Sequence, residues 1–143
     1  MNMSLPIELD EILPHKPPMR LIKRLLSFEH GKGTAEAIID DDNIFLDDAG
    51  YLNTTTLIEL IAQTFAAIKC YDDLLCRRPL KRGFLVGIRK VQFMGKAIIG
   101  DILKINVKTR TTLGAFMAAY GEVIIRDEVI AKGEITVWID QDS

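Results

Sequence analysis

The sequence feature that most constrains the fold is one long helical segment that is apolar around nearly its whole circumference. The segment runs from about residue 53 or 56 to residue 71. Its apolar side chains are Leu57, Ile58, Leu60, Ile61, Ala62, Phe65, Ala66 and Ile68. A helix without a broad polar face cannot lie on a protein surface, so this one is predicted to be buried on all sides.

Six strand-like segments accompany this helix. They are residues 19–28, 34–39, 84–93, 102–110, 115–125 and 129–139. Alternation is clearest between Leu103, Ile105 and Val107 on one face and Lys104, Asn106 and Lys108 on the other, which predicts a sheet with one dry and one wet face. An antiparallel sheet wrapped around one central helix, an α+β fold, buries that helix best. Residues 7–13 are predicted to form a short helical turn ahead of the sheet.

Length and charge narrow the class of protein. The 143 residues, 48% of them hydrophobic, fit a single domain spanning 1–143. Basic and acidic side chains, 18 and 20, are mixed along the chain, which argues against nucleic-acid binding. An acidic start without an export signal, and no apolar run of about 20 residues, predict a cytoplasmic protein with no membrane segment.

Several kinds of reactive site are not predicted. Cys70, Cys76, His15 and His30 form no zinc-binding spacing, so no metal is expected and both cysteines are expected to be reduced. The serines lie in no nucleophile-elbow motif, and no glycine-rich dinucleotide motif is present. We therefore expect no bound cofactor.

Three sequence blocks resemble one enzyme family. They are L-P-H-K-P-P-M-R-L-I-K-R at 13–24, L-I-E-L-I-A-Q at 57–63, and G-F-L-V-G-I-R-K-V-Q-F at 83–93 followed by I-G-D-I-L at 99–103. In this order and spacing they resemble the bacterial 3-hydroxyacyl-acyl-carrier-protein dehydratases of the FabZ type. The resemblance implies a hot-dog fold, dimerisation and an acyl tunnel at the subunit interface.

The family's chemistry is the elimination of water from a 3-hydroxyacyl thioester, which requires a base and an acid. Family members use a His and a helix carboxylate contributed across the dimer. Glu59 occupies the carboxylate position, whereas the position of the family's His falls at Phe45, which we place among the substrate-binding residues. This departure resembles a divergent subgroup of aryl-polyene-type pathways, whose members can pair with a second dehydratase subunit.

Glu59 and Gln63 each allow a second interpretation. Thr56 and Glu59 fit a capping box, in which the carboxylate would bond the backbone at the helix start. Asn53 is an equally good N-cap, and it would place Glu59 further along the helix. Gln63, one turn later, either orients Glu59 or a bound thioester, or is an ordinary buried amide.

Besides Glu59 and Gln63, five further residues are candidates for the site. His15 is either a structural residue or a substitute for the missing base. Gly87 matches the family glycine that lies near the thioester, or marks a bulge. Thr54, Thr55 and Thr56 could offer backbone N–H groups to a thioester carbonyl, or simply form a capped helix end.

A basic cluster follows the helix and consists of Arg77, Arg78, Lys81 and Arg82. These charges could dock an acidic carrier protein or its phosphopantetheine phosphate, or form a solvated loop.

The leading prediction is a 3-hydroxyacyl-acyl-carrier-protein dehydratase-like protein of fatty acid or polyketide type biosynthesis. Its acyl group is expected on a carrier protein or on CoA. Its oligomer is a homodimer or a heterodimer with another hot-dog dehydratase. Two alternatives stay open: an acyl thioesterase that uses the helix carboxylate alone, and a non-catalytic acyl-binding or scaffold subunit.

Overall fold

The computed structural model describes residues 4–9 and 20–140. This part of the chain contains seven strands and one helix. In chain order they are β1 (Ile7–Glu8), β2 (Arg24–Glu29), β3 (Lys32–Ile38), α1 (Thr56–Leu75), β4 (Gly83–Phe93), β5 (Ile102–Leu113), β6 (Phe116–Ile125) and β7 (Glu128–Ile139). The strands form one antiparallel sheet in the order β1-β2-β3-β5-β6-β7-β4, which curls around α1 as predicted.

The helix lies in the concave side of this sheet. Six of its eight predicted apolar residues are buried, and Ala62 and Ala66 are partly buried. Close contact depends on glycines on the inner face of the sheet: a Cβ at Gly33 would lie 2.9 Å from Ile68. A Cβ at Gly121 would overlap Ile61. The sheet therefore approaches the helix more closely than side-chain-bearing strands could.

The alternation predicted for the strands is confirmed. In β5, Leu103, Ile105 and Val107 are buried, and the lysines and asparagine between them are exposed. The tight turn before β7 is made by Arg126 and Asp127, both with positive φ (49° and 67°), as a two-residue hairpin of this handedness requires.

The predicted helical turn at residues 7–13 is wrong for residues 7 and 8, whereas Leu9 lies in a 3-10 helical turn. Ile7 and Glu8 form a short strand that pairs with Leu25 and Arg24 of β2. The Leu9 N–H continues this contact by donating to the Lys23 carbonyl at 3.1 Å. The edge of β2 offers unpaired backbone groups. Ile7 in β1 and Leu9 directly after this strand both reach the core. Residues 10–13 lie outside the described residues.

Strand β4 forms the opposite edge of the sheet and exposes apolar side chains on both of its faces. Val86, Ile88 and Phe93 are 55%, 50% and 43% exposed, respectively. Two register shifts, after Leu85 and after Arg89, bend the strand. An unpaired and apolar edge of this length is a surface suited to pairing with another strand.

The two cysteines are unpaired, as expected. Cys70 is buried and Cys76 is exposed. Burial raises the pKa of the Cys70 thiol to about 11. Within the described ranges, no helix combines the length and apolar character that crossing a membrane requires.

The close contact between the helix and the sheet predicts that alanine substitution destabilises the domain at one glycine and not at another. Gly121→Ala would force a methyl group into Ile61 and should destabilise the domain by about 1–3 kcal/mol, as overpacked cores do. Gly87→Ala is the matched control, because its Cβ would lie 3.5 Å from Thr136, an ordinary contact. Thermal unfolding should show a clear loss of stability for the first variant only. Equal melting temperatures would contradict the close packing.

Candidate active site

Glu59 lies in the first turn of α1 and is partly buried. The Gln63 side-chain amide donates a hydrogen bond to Glu59 Oε1 at 3.1 Å. Gln63 is itself only 1% exposed, and its Oε1 accepts a hydrogen bond from the Leu21 N–H at 2.8 Å. A chain of two hydrogen bonds therefore links the carboxylate to the backbone of residue 21.

The capping-box interpretation of Glu59 is not supported. The helix begins at Thr56, its N-cap residue Thr55 makes no side-chain capping bond, and the Glu59 carboxylate bonds to Gln63 instead. Asn53 organises the helix start: its Oδ1 accepts from the Thr55 N–H, at 3.1 Å, and its carbonyl accepts from the Thr56 N–H, at 2.9 Å.

This arrangement corrects one prediction about the helix start. The N–H groups of Thr55 and Thr56 were expected to be open to a thioester carbonyl, but both are bonded to Asn53. A donor already used within the protein cannot serve an oxyanion without breaking that bond. Thr54 stays a candidate.

Phe45 lies beside the start of the helix. Its carbonyl accepts a hydrogen bond from the Asn53 N–H at 2.8 Å, and its own N–H donates to Asn43 Oδ1 at 2.8 Å. The ring is partly buried and packs against the core. The position that carries His in the family thus holds an apolar ring with no proton to exchange.

Two further candidates from the sequence are His15 and Gly87. His15 lies outside the described residues, so its roles stay predictions. Gly87 directly follows the first register shift of β4, which confirms the bulge interpretation. Its predicted approach to the thioester is a separate point, and it also stays a prediction.

The basic cluster lies beyond the other end of α1. Arg78 is already bound within the chain: its guanidinium contacts Asp73 at 2.9 Å and Asp72 at 2.6 Å. These hydrogen bonds, with Asp73 first, raise the pKa of Arg78. Arg82 lies 5.4 Å above the centre of the Phe84 ring. Arg78 thus has a structural role at the helix end, whereas Arg77 is exposed.

Two clefts of the chain lie away from Glu59. The first, about 340 Å³, lies between the C-terminal half of α1 and the β2–β3 and β5–β6 turns, beside Phe65 and Met117. The second, about 480 Å³, lies along β2, β3, β5 and β6 beside Phe28 and Tyr120. Since Glu59 lines neither cleft, neither supplies the acyl tunnel that the family resemblance implies for this carboxylate.

Sequence reasoning missed the contribution of residue 21. The contact between Leu21 and Gln63 joins positions 42 residues apart. The 13–24 block gave an indirect signal, because it matches the family opening and contains Leu21. Nothing in that match indicated a backbone donor.

Comparisons with known proteins identify relatives in sequence and in fold. The chain is 28% identical over 135 residues to the 3-hydroxyacyl-[acyl-carrier-protein] dehydratase FabZ of Natranaerobius thermophilus, covering 90% of this chain and 92% of that protein. Its fold matches a chain of the dehydratase heterocomplex ApeI:P from Xenorhabdus doucetiae, with a TM-score of 0.87, 21% identity and coverage of 94% and 92%. A hypothetical thioesterase protein with coenzyme A from Streptococcus pneumoniae has a TM-score of 0.65, 10% identity and coverage of 81% and 84%.

The fold and these relatives define a hot-dog domain of the 3-hydroxyacyl-acyl-carrier-protein dehydratase-like class. Residues 7–143 match the model of the ApeP-like family, described as ApeP dehydratase, and the chain belongs to that family.

Gly87 allows a test of the predicted thioester contact. Because its Cβ would have ordinary space beside Thr136, Gly87→Ala should fold normally. If the backbone of residue 87 lies against the thioester, the added methyl group should raise KM at least severalfold without a change in melting temperature. Steady-state kinetics of the chain, measured alone and with a second dehydratase subunit, gives the answer. Unchanged KM would remove Gly87 from the site.

Proposed function

We propose that this chain is the carboxylate-bearing subunit of a two-chain 3-hydroxyacyl-acyl-carrier-protein dehydratase. The observation that carries the proposal is the contrast between two positions at the helix start. Glu59 is held by a defined hydrogen bond. Phe45, at the position that the resemblance assigns to the family's His, is an apolar ring packed against the core. The chain therefore retains one half of the acid–base pair.

In the proposed reaction, a base removes the proton on the carbon next to the thioester carbonyl. The electron pair forms the new double bond, and the 3-hydroxyl leaves as water after Glu59 protonates it. The base is a His of the partner subunit. No cofactor is required, because the thioester carbonyl itself stabilises the charge that develops.

The exposed β4 edge supports the pairing of subunits. Its apolar residues project from both faces of the sheet, and the inner-facing Leu85 and Ile88 are 41% and 50% exposed. A second hot-dog subunit that adds its own edge strand would pair the backbone of β4, and its helix would cover the inner face. The related ApeI:P dehydratase is a heterocomplex.

A heterodimer of this kind contains one complete acid–base pair. This chain supplies Glu59, and the partner supplies His. In the second, symmetry-related site the His position is occupied by Phe45 of this chain. The proposed enzyme therefore has one active site for each pair of chains.

The basic cluster is too far from Glu59 of the same chain for a carrier docked there to reach this carboxylate. Eighteen residues separate Glu59 from Arg77, about 27 Å along a helix. An extended phosphopantetheine arm is roughly 20 Å long, the span of about six extended residues. With antiparallel β4 edges, the start of β4, next to Arg82, lies beside the end of the partner's β4. A carrier docked at this cluster would therefore face the second site, in which Phe45 stands at the His position, so the cluster does not serve the proposed active site.

The central test combines Glu59→Gln with the partner dehydratase. We expect the wild-type pair to dehydrate 3-hydroxyacyl carrier protein, followed as loss of water by intact mass. Glu59→Gln should lower the rate by about 100-fold or more, because a general acid contributes 10²–10⁴-fold. The complex itself should persist on size exclusion. An active Glu59→Gln pair would eliminate the proposed role.

The proposed interface predicts that Ile88→Lys abolishes complex formation while the chain stays folded, because a charge would be buried where β4 meets the partner. Leu113→Lys is the control: Leu113 is 76% exposed at the tip of the β5–β6 hairpin, away from the β4 edge. Co-purification and circular dichroism measure assembly and folding. Loss of assembly in both variants, or in neither, would contradict the interface.

Thioester hydrolysis is the second candidate, supported by the fold likeness to the hypothetical thioesterase. A helix carboxylate can act there as a base or nucleophile without a His. The same mass measurement separates the two activities, because hydrolysis releases free acid and unloads the carrier.

A further inference from the structure

We propose that one end of the sheet, together with the basic cluster, docks on an anionic lipid surface. This surface lies on the outer face of the sheet, which points away from α1 and therefore from Glu59. A partner subunit that pairs with β4 and covers the inner face would leave it exposed. The proposal goes beyond the proposed reaction and does not depend on it.

An apolar row crosses four strands at this end of the sheet. Leu113 pairs with Phe116 across the β5–β6 turn. Trp138 pairs with Phe116 on one side and with Phe84 on the other, and the Phe84 and Trp138 rings lie 5.9 Å apart. Directly paired residues point to the same face of a sheet. Since Val137, the neighbour of Trp138 in β7, is buried in the core, the whole row faces outward.

The apolar row differs from the rest of the outer face. Leu113, Phe116 and Phe84 are exposed, and Trp138 is partly exposed. Further along the strands the outer face carries mainly polar and charged side chains, among them Lys104, Asn106, Lys108, Glu122, Lys132 and Glu134. A group of exposed apolar residues bordered by polar ones marks an interaction surface.

The basic cluster lies at the same end of the molecule. Arg82 directly precedes β4, and its guanidinium lies over the ring of Phe84, a member of the apolar row. Lys81 and Gly114, which belongs to the β5–β6 turn, line the same cleft. The cluster and the apolar row therefore border one another.

This end of the molecule is positively charged. Residues 74–85 include four basic residues and no acidic one. Arg78 is paired with two aspartates, and Asp140 lies beside Arg82, because its N–H donates to the Arg82 carbonyl at 2.8 Å. Arg77 is exposed. Cations attract anionic headgroups, and neighbouring aromatic and aliphatic side chains enter the apolar boundary of the membrane, so the combination fits a lipid surface.

Two protein occupants fit this surface less well. A second copy of the same chain would bring its basic cluster against this one, and like charges repel. An acyl carrier protein docked here could not reach Glu59. A lipid surface needs neither a matching shape nor access to Glu59.

Vesicle binding by the purified chain tests the proposal, and Trp138 is a built-in probe because the chain has one tryptophan. The chain should co-sediment with phosphatidylcholine vesicles that contain phosphatidylglycerol, and Trp138 emission should move to shorter wavelength as the ring leaves water. Vesicles of phosphatidylcholine alone should bind at least severalfold less, and added salt should weaken binding to the anionic vesicles. No binding, or equal binding to both lipids, would overturn the proposal.

An apolar variant tests the row itself. Leu113→Ser removes an exposed side chain and should lower vesicle binding about fivefold or more. Ile102→Ser is the matched control, because Ile102 is also exposed but lies at the other end of β5. Equal effects of the two substitutions, with folding checked by circular dichroism, would contradict a role for the row.

A charge variant tests the basic cluster. Arg77→Gln combined with Arg82→Gln should lower binding to anionic vesicles about tenfold or more. Lys104→Gln combined with Lys132→Gln removes the same charge from the outer face away from the row and should leave binding unchanged. If both pairs lower binding alike, the attraction depends on overall charge and the proposed surface is wrong.

The same measurement with the partner dehydratase present separates this surface from the β4 edge. Binding that persists and still depends on Leu113 supports the proposal, whereas binding that the partner abolishes would place the lipid contact at β4 and overturn it. Capture of a carrier protein, or self-association, that Leu113→Ser abolishes without any vesicle binding would assign the surface to a protein instead. None of these results depends on dehydration, so a failed dehydratase proposal leaves them unaffected.

Discussion

Burial of one apolar helix is the constraint on which the rest of this structure depends. Because α1 offers almost no polar face, the sheet has to curl around it, and glycines at 33 and 121 let the strands approach closely. The curl has a second consequence. Strand β4 follows β7 at the edge of the sheet, and its inner-facing apolar residues stay exposed. The same burial that stabilises the single chain leaves it with an apolar edge that a second subunit can cover.

Because α1 is buried, each polar side chain on it needs a hydrogen-bond partner, and the partners show how each side chain is accommodated. Thr64 bonds the carbonyl of Leu60 one turn earlier, and Asp73 pairs with Lys69 and Arg78. Gln63 uses its amide for both Leu21 and Glu59. All three side chains form hydrogen bonds or ion pairs, as buried polar groups must. Glu59 differs because its second oxygen has no hydrogen-bond partner within the described residues and is not among the buried unsatisfied atoms there, so it is open to water or to a substrate.

Much of the fold was predictable because it follows from periodicity. The helix and five of the strands lie within about four residues of their predicted bounds, since each is long enough for a 3.6- or two-residue repeat to stand out. Strand β2 begins only at Arg24, later than the predicted start at residue 19. Strand β1 was not predictable. Two residues contain no repeat, and their conformation is set by the free edge of β2. The candidate site residues were predicted from the family resemblance, whereas the contact from Leu21 depends on tertiary packing across 42 residues.

An apolar side chain at residue 45, where the resemblance places the family's His, is compatible with the observed local fold. The hydrogen bonds that place this segment beside the helix use the backbone of Phe45, its N–H toward Asn43 and its carbonyl toward Asn53, and a backbone bond is indifferent to the side chain. A His could therefore be exchanged for an apolar ring with no loss of local structure. The same reasoning does not apply to Glu59 and Gln63, whose contacts are made by side chains. A purely structural subunit would gain more stability from apolar residues at both positions, since burial of polar groups is costly even when they are paired. The retention of the carboxylate and its amide beside a missing base therefore favours a shared active site over a scaffold.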